Sequence, residues 1–337
     1  MTEKIKIGII GCGHLGKFHI KNLVDLSKDR EDIEIKGVYD INPEKMEYVK
    51  NNFNLNIYKS KDELYNNINT IIIVTPTVTH YELAKSAIEK NINCFIEKPV
   101  TGKVTEAYNL LEYAKNKNIK IQVGHIERFN PALLALEKYD INPLFIESHR
   151  LSEFNPRGTD VSVIQDLMIH DIDIILSLVN SEIESIEANG VAVITDKIDI
   201  ANSRIKFRNG CVANLTASRI SQKKMRKMRI FQKDMYISVD FSKNSSEIFN
   251  LLRDEDKSKS TGVVIGPFEY EKNKILISYE NKTVTDINPM KYELNKFFDS
   301  IVKDLIPEID MKSAVEAVEV AQIISDKIQE SLLKMNK

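Results

Sequence analysis

Three closely spaced glycines after a short apolar segment constrain this chain more than any other feature. Residues 5–10 are rich in isoleucine, and Gly11, Gly13 and Gly16 follow at once. Apolar residues at helical spacing come next, so the pattern predicts a strand, a tight turn and the start of a helix. Backbone N–H groups and a helix N-terminus can there approach a dinucleotide pyrophosphate, although a purely structural glycine turn is the alternative. The candidate cofactor contacts in this loop are Gly11, Cys12, Gly13, His14, Leu15 and Gly16.

An acidic residue follows the second predicted strand at a position that suits the same ligand. The predicted strand 34–39 is followed directly by Asp40, which lies 24 residues after Gly16. In dinucleotide-binding units an acid at about this distance accepts hydrogen bonds from the adenosine ribose. Residues 41–43 carry no basic side chain that could bind a 2′-phosphate. The sequence therefore predicts NAD in preference to NADP.

Helical and strand-like segments alternate through the first 124 residues. The β-branched run 70–74 is typical of a central parallel strand that is buried on both faces. Such repetition predicts a doubly wound parallel sheet of the Rossmann type, with ligands at the carboxyl edge of its strands. The residues at this edge that we expect to contact the cofactor, besides the glycine loop and Asp40, are Thr75, Pro76, Thr77, His80, Glu97 and Lys98.

The pattern changes near residue 125. Strand-like runs dominate from about 144 to 279, and helical spacing returns at residue 289. We therefore predict two domains, an NAD-binding domain over 1–124 and an α/β domain over 125–337 with a large, mostly antiparallel sheet. The terminal helix of the second domain could pack back onto the first.

The composition is that of an ordinary globular protein. Of 337 residues, 42% are hydrophobic and 28% are charged, and the net charge is −2. This balance gives no reason to expect binding to nucleic acid or to a membrane. The three cysteines, Cys12, Cys94 and Cys211, are isolated, and no signal-peptide pattern is evident. We therefore expect a protein of the reducing cytoplasm.

One predicted helix among the strands carries a polar face. Residues 163–176 are apolar on almost every side, but Asp166, His170 and Asp173 recur at spacings of four and three residues. Burying such groups is costly unless they are paired, and an imidazole oriented by a carboxylate is a good general base near pH 7. A core pair that only fixes helix packing is the alternative. A metal would also suit the spacing, but no third ligand is evident, so we predict no metal site.

Glu97, Lys98 and Pro99 end another predicted central strand. A lysine at this position would lie beside the cofactor and could position a substrate oxygen. A surface Glu–Lys pair before a proline turn is an equally open alternative. Basic groups can also hold a substrate phosphate or carboxylate. The candidates near the sheet edge and the polar-faced helix are His125, Arg128, Arg150 and Arg157.

Taken together, four motifs resemble the Gfo/Idh/MocA family of oxidoreductases, and the resemblance covers essentially the whole chain. It implies a Rossmann domain followed by an α/β domain whose open sheet mediates homodimers or homotetramers. It also implies that Lys98, Asp166 and His170 are catalytic and that the Lys98–Pro99 peptide bond is cis. The motifs are Gly11-x-Gly13-x-x-Gly16, Thr75-Pro76, Glu97-Lys98-Pro99 and Asp166-x-x-x-His170.

Segments 124–131 and 166–173 are similar to the sugar-nucleotide branch of this family. The similarity implies NAD-dependent oxidation of a sugar hydroxyl to a ketone, at C3 of UDP-N-acetylglucosamine, on a route to 3-amino lipid A precursors. His170, oriented by Asp166, would take the hydroxyl proton, and Lys98 would hold the same oxygen. The residues expected to contact the sugar substrate are Lys98, His125, Arg128, Arg157, Asp166 and His170.

Other activities in the same family are open alternatives at this point. One is an inositol or polyol 2-dehydrogenase, and another is a UDP-N-acetylglucosaminuronate 3-dehydrogenase. A non-enzymatic alternative is an NAD-responsive sensor, because some members of the family regulate transcription. A sensor could dispense with acid–base groups, so the presence of Lys98, Asp166 and His170 favours an enzyme.

Overall fold

The computed structural model describes residues 4–155, 161–252, 262–270 and 273–335. Its strands are β1 Ile5–Ile10, β2 Ile33–Tyr39, β3 Thr70–Ile73, β4 Asn93–Glu97, β5 Ile121–Gly124, β6 Phe145–Leu151, β7 Ile183–Val191, β8 Ile200–Phe207, β9 Val212–Ser218, β10 Met225–Gln232, β11 Met235–Asp240, β12 Ser245–Leu252, β13 Val263–Tyr270 and β14 Asn273–Thr283. Its helices are α1 His14–Asp29, α2 Pro43–Phe53, α3 Lys61–Tyr65, α4 His80–Glu89, α5 Val104–Ala114, α6 Pro131–Leu134, α7 Ile169–Leu178, α8 Pro289–Val302 and α9 Met311–Met335.

Met1–Ile126 and Asn288–Glu319 group into one compact unit. Its five-stranded sheet has the order β2-β1-β3-β4-β5, and every neighbouring pair is parallel. The predicted parallel Rossmann sheet is therefore confirmed. All four residues of β3 are buried, as expected of a central strand covered on both faces.

Helix α8 completes the core of this first unit although it comes late in the sequence. Leu294, Phe297 and Phe298 are fully buried in one apolar cluster with β1, α1 and β4. The observed grouping thus differs from the predicted domains 1–124 and 125–337, because the apolar face of α8 is buried with the Rossmann sheet. The sequence signal for α8 showed that it is amphipathic but not which sheet it covers.

Glu127–Ile287 and Val320–Lys337 form the second unit, built on a nine-stranded sheet. The strand order is β13-β14-β12-β11-β10-β6-β9-β8-β7. Neighbouring strands are antiparallel except β6 and β9, which are parallel, so the predicted mostly antiparallel sheet is confirmed. Buried and exposed residues alternate along β8, which leaves one face of the sheet open within this unit.

The polar-faced helix differs from its prediction at its first turn. Ile164–Met168 form a π-helical turn, and the α-helix α7 starts only at Ile169. The N–H of Ile169 reaches the carbonyl of Ile164, five residues back, so this turn is wider than an α-helical one. The predicted continuous α-helix over 163–176 is therefore wrong over the residues of this turn. An apolar pattern on nearly every side fits either kind of turn and did not distinguish them.

Candidate active site

The glycine loop between β1 and α1 divides its three glycines between two tasks. Gly11 has a φ of +104°, and a Cβ there would lie 2.1 Å from the carbonyl oxygen of Val74. A Cβ on Gly16 would lie 2.0 Å from the carbonyl oxygen of Gly11. Both positions therefore require glycine for the turn and for the close approach of α1. A Cβ on Gly13 would meet nothing within 4 Å, so this position leaves open space in which a pyrophosphate fits.

The other side chains of the loop point in different directions. The Cys12 side chain is fully buried, and burial, with the nearby charge of Asp40, raises the pKa of its thiol to about 12. His14 and Leu15 are exposed at the first turn of α1. The thiol is thus a neutral packing group at pH 7, and His14 and Leu15 are the ones available to a ligand.

Asp40 is held by the backbone at the end of β2. One carboxylate oxygen accepts the N–H of Cys12 at 2.7 Å, and the other accepts the N–H of Asn42 at 2.8 Å. The residue is 8% exposed. Each carboxylate oxygen can still accept a further bond, so the geometry fits ribose hydroxyls. The residue beside it, Ile41, is 90% exposed and adds no positive charge.

His80 joins two of the loops at the carboxyl edge of the sheet. Its Nε2 lies 2.8 Å from the carbonyl oxygen of Thr75, and its Nδ1 lies 2.9 Å from that of Pro99. The ring is almost completely buried, and burial lowers the pKa of His80 although the two carbonyl contacts oppose the shift. Both ring nitrogens face backbone carbonyl oxygens, so His80 links the two loops, and its predicted direct contact with the cofactor stays a prediction. Pro76 and Thr77 follow Thr75 on the same loop, where their predicted contact with the cofactor stays a prediction.

Glu97 is not part of a surface pair. Its Oε1 lies 2.6 Å from Nε2 of the fully buried His19 on α1, and its Oε2 accepts the backbone N–H of Lys98 at 3.1 Å. Burial raises the pKa of Glu97, but the hydrogen bond from His19 and the charges of His19 and Lys98 bring it below its usual value. The surface alternative for this motif is therefore wrong, and a direct contact of Glu97 with the cofactor stays a prediction.

Lys98 and His125 follow neighbouring strands at the same sheet edge. Lys98 comes directly after β4 and is partly buried, and its peptide bond to Pro99 is cis, as the resemblance predicted. His125 comes directly after β5 and is fully buried. Its N–H donates to the carbonyl oxygen of Val123 at 2.8 Å. The parallel pairing of β4 with β5 therefore places both residues at one end of the sheet.

The wide turn and α7 carry the predicted acid–base residues of the second unit. Asp166 lies in the π-helical turn and His170 in the first turn of α7, and both are partly buried. The imidazole Nδ1 of His170 is shielded from solvent. Asp173 is buried, and one of its carboxylate oxygens lies 3.5 Å from Nε of Arg128. Arg128 is therefore paired with the helix, and its predicted contact with the substrate stays a prediction.

Arg150 is not available to a ligand. Its guanidinium makes two hydrogen bonds to Asp171, at 3.0 and 2.8 Å, and one to Glu127 at 2.9 Å. It is 2% exposed, so the interpretation of Arg150 as a substrate ligand is wrong and it is a buried structural cation. Arg157 lies outside the described residues.

His19 is the residue that sequence reasoning missed. It lies three residues after Gly16, on the face of α1 that also buries Ile20 and Leu23. A polar ring on the buried face of a helix needs a hydrogen-bond partner. That signal pointed to a partner on the sheet but could not identify Glu97.

Across the described ranges, no three His, Cys, Asp or Glu side chains come together as a metal site. No helix in the same ranges is both long and apolar enough to cross a bilayer.

The open glycine loop, the anchored Asp40 and the parallel sheet define a dinucleotide-binding Rossmann domain, typical of NAD-dependent oxidoreductases. Residues 5–125 match the oxidoreductase family with an NAD-binding Rossmann fold, and residues 145–238 match the Gfo/Idh/MocA C-terminal domain. The chain belongs to the Gfo/Idh/MocA family of oxidoreductases. The predictions of this family, of an enzyme and of NAD as cofactor are thereby confirmed.

Relatives with known activities include several sugar and polyol dehydrogenases. UDP-N-acetylglucosamine 3-dehydrogenase of Acidithiobacillus ferrooxidans is 39% identical over 247 residues, which cover 73% of this chain and 77% of that protein. A solved structure of that enzyme from the same organism gives a TM-score of 0.85 at 31% identity, over 97% of this chain and 98% of that one. The scyllo-inositol 2-dehydrogenase (NAD(+)) of Bacillus subtilis is 28% identical and covers 66% of this chain and 69% of that protein. Levoglucosan dehydrogenase in complex with NADH has a TM-score of 0.84 at 17% identity, over 97% and 98% of the two chains, and shows the fold alone.

Proposed function

We propose that this protein oxidises a hydroxyl of a sugar nucleotide to a ketone, at C3 of UDP-N-acetylglucosamine. The observation that carries the proposal is the similarity to the UDP-N-acetylglucosamine 3-dehydrogenase of Acidithiobacillus ferrooxidans, in sequence over 73% of the chain and in structure over 97%. The product would supply an aminotransferase on the way to 3-amino lipid A precursors.

In the proposed reaction, the chain's own residues move the proton and hold the oxygen. Bound NAD⁺ supplies the hydride acceptor. His170, oriented by Asp166, takes the proton of the reacting hydroxyl as general base. Lys98 holds the same oxygen and stabilises the negative charge that develops on it. The shielded Nδ1 of His170 and the position of Lys98 at the end of a central strand support these roles.

The remaining polar residues near these groups are proposed to bind the substrate. His125 follows β5 at the same sheet edge as Lys98, and this position supports a proposed contact with a sugar hydroxyl. Arg128 and Arg157 are proposed to hold the nucleotide phosphates, since guanidinium groups match phosphate oxygens in geometry and charge.

The decisive experiment is mass spectrometry of an incubation with UDP-N-acetylglucosamine and NAD⁺. A 3-aminotransferase and glutamate are added, so that the keto sugar is converted to an amino sugar and the equilibrium is drawn forward. The proposal expects the mass of the amino-sugar nucleotide, and omission of this protein is the control. No product from a protein that demonstrably binds NAD would reject the proposed substrate.

An inositol 2-dehydrogenase is the second candidate, because the scyllo-inositol 2-dehydrogenase of Bacillus subtilis is also similar to this chain. That similarity is lower, at 28% identity against 39%. Initial rates with inositols, UDP-N-acetylglucosaminuronate and UDP-N-acetylglucosamine at equal concentration separate the candidates. The larger kcat/KM identifies the substrate class.

We further propose that the protein is a homodimer or homotetramer of the cytoplasm, assembled through the open face of the nine-stranded sheet. Five rings lie side by side across neighbouring strands on this face, with centroids 4.9–5.8 Å apart. Such an apolar stripe on an open sheet supports burial by a second copy. The three cysteines are buried and free, which supports a reducing compartment. The aromatic row consists of Phe145, Phe231, Tyr236, Phe249 and Tyr279.

A further inference from the structure

Five side chains in register across the nine-stranded sheet form a charged row on its open face. Directly paired residues of neighbouring strands point to the same side of a sheet, and neighbouring strands lie about 4.8 Å apart. Glu187 of β7 pairs with Arg204 of β8, and Arg204 pairs with Asn214 of β9. Asn214 pairs with Glu147 of β6, which in turn pairs with Arg229 of β10. From β7 to β10, the charged row therefore reads acid, base, neutral amide, acid, base.

The charged row is accessible from solvent within one chain. Glu187, Arg204 and Arg229 are exposed, and Glu147 and Asn214 are partly buried. Every one of them except Arg229 lines the same cleft in the sheet surface, together with other polar side chains. The row thus combines access for a partner with a fixed order of charges.

The members of the row differ in the partners that they have within the chain. Nη1 of Arg229 lies 3.0 Å from Oε2 of Glu147. Nη1 of Arg204 donates a hydrogen bond to Oδ1 of Asn214 at 3.2 Å. Among the residues that the structure describes, neither Arg204 nor Glu187 takes part in an ion pair. One base and one acid of the row therefore remain available to a second molecule.

The order of charges in the row is its own complement when it is reversed. Read from β10 to β7, it becomes base, acid, amide, base, acid, so every charge meets its opposite. A two-fold axis parallel to the strands at β9 reverses the strand order of one sheet over the other and faces the row with its complement. A two-fold axis that runs along the row instead would place acid over acid and base over base. Since facing like charges weaken an interface, the row favours the first arrangement and opposes the second.

We propose that a second copy of this chain docks on the open face of the nine-stranded sheet about a two-fold axis parallel to the strands at β9. Arg204 then faces Glu147 of the partner subunit, and Glu187 faces Arg229 of the partner subunit, with each contact occurring twice. Packed sheets keep their strand directions within about 30° of each other, so the long side chains of the row reach across.

This inference rests on the proposed assembly through the open face and adds the register in which the two sheets meet. The overlap covers strands β7 to β10 and takes in the first two rings of the aromatic row. Apolar contact supplies area for association, whereas the charged row selects one alignment among those that the face allows.

Exchanging charges between neighbours tests the register without changing the net charge. The first swap is Glu187→Arg with Arg204→Glu, and the second swap is Glu147→Arg with Arg229→Glu. Each swap keeps opposite charges side by side within the chain, but across the axis it places like charge over like charge. We expect the dissociation constant of the oligomer to rise about 100-fold or more in either swapped protein. Light scattering coupled to size exclusion, over a series of protein concentrations at low salt, measures the change.

Combining the two swaps restores the complementary order. In an equimolar mixture of the swapped proteins, opposite charges face each other again, so we expect hetero-oligomers of wild-type mass. Native mass spectrometry identifies them when one of the proteins is labelled with heavy nitrogen. A single chain that carries both swaps is also self-complementary, and as the matched control it should keep the wild-type mass.

Three results would overturn the proposal. The first is wild-type affinity in either swapped protein alone. The second is a mixture of the two folded swapped proteins, as judged by circular dichroism, that does not associate. The third is dissociation of the chain that carries both swaps, which decides the question even where one swapped protein does not fold.

The mass of the wild-type protein separates this inference from the proposed assembly. A wild-type monomer would reject assembly through the open face altogether, whereas a wild-type oligomer that tolerates each swap would reject only the register. None of these measurements uses a sugar substrate, so their outcome is independent of the proposed reaction.

Discussion

Two buried carboxylates of this chain, Asp199 and Asp40, are each fixed by several backbone donors. Asp199 is fully buried and accepts the backbone N–H groups of Val193, Ile194 and Thr195 at 2.7–2.9 Å. Burial alone would raise the pKa of Asp199, but these hydrogen bonds lower it to about 2. Asp40 is held by two backbone N–H groups in the same manner. A carboxylate at such a position accepts hydrogen bonds from the backbone of a loop and so fixes the conformation of that loop.

Replacing Asp199 with asparagine should lower the free energy of unfolding by about 1–3 kcal/mol at pH 7, because an amide turns an N–H₂ group towards backbone donors. The pKa of Asp199 is lower in the folded state than in the unfolded chain. Its stabilising contribution is therefore complete above the unfolded value and is lost as pH falls towards 2. Urea titrations of both proteins at pH 7 and at about pH 3 measure this. The difference between them should shrink at the lower pH, and a constant difference would contradict the prediction.

Replacing His170 with alanine should lower turnover by about 10²–10⁴-fold, because the proposed general base is removed. Binding of NAD should change little, since the glycine loop and Asp40 are untouched. Steady-state kinetics with UDP-N-acetylglucosamine and fluorescence titration with NADH measure the two effects separately. Unchanged turnover in a folded variant would reject His170 as the base.

Residue roles that depend on local spacing could be predicted from the sequence, and roles that depend on distant partners could not. The first kind includes Gly11, whose tight turn follows from a strand, a turn and a helix in succession. The partners of His19 and Arg150 are 78 and about 20 residues away. Nothing in the local pattern showed that Arg150 would be enclosed by two carboxylates.

Two positions in the glycine loop, Gly11 and Gly16, lie so close to neighbouring backbone atoms that no side chain fits there. The different surroundings of Gly13 and Gly16 give a direct test of this. Gly16→Ala should destabilise the protein by several kcal/mol, because its Cβ would overlap the carbonyl oxygen of Gly11. Gly13→Ala should leave the melting temperature within a few degrees of wild type but weaken NAD binding about tenfold or more, because the methyl group occupies the open space. Calorimetry and NADH titration distinguish the variants. Equal melting temperatures for Gly13→Ala and Gly16→Ala would contradict the division of tasks.

Element type was predictable wherever periodicity was strong. The β-branched run at 70–74 predicted the buried central strand β3, and the strand-like runs from about 144 to 279 predicted the mostly antiparallel sheet. The π-helical turn of Ile164–Met168 was not predictable, because its side chains are mostly apolar and a wide turn buries them as well as an α-helical turn does.

At the scale of the whole molecule, each compact unit combines segments that are far apart in the sequence. Residues 288–319 join the first 126 in one unit, and the end of α9 groups with the second. An amphipathic helix shows which face it buries but not the sheet it covers. The number of domains and their sheet types could therefore be predicted, whereas the assignment of the tail could not.

The aromatic row predicts how assembly responds to a single charge. Phe231, near the middle of the row, is 37% exposed within one chain. If the proposed oligomer forms through this row, Phe231→Glu should convert it to a smaller species, because a second copy would bury the carboxylate without a partner. Light scattering coupled to size exclusion measures the mass. Tyr113→Glu, at an exposed position on α5, is the matched control and should keep the wild-type mass. An unchanged mass for Phe231→Glu would place the interface elsewhere.

The reactivity of the buried Cys12 thiol can report how often the glycine loop opens. Cys12 is shielded and largely protonated below its pKa of about 12, so an alkylating reagent reaches it only while the loop is transiently open. Cys94 lies deep in β4 and reacts only when the whole sheet comes apart. The ratio of their labelling rates therefore separates breathing of the loop from global unfolding. A bound dinucleotide should slow the labelling of Cys12 in proportion to the fraction of sites that it occupies. The labelling rate of this buried thiol would then report the occupancy of the nucleotide site.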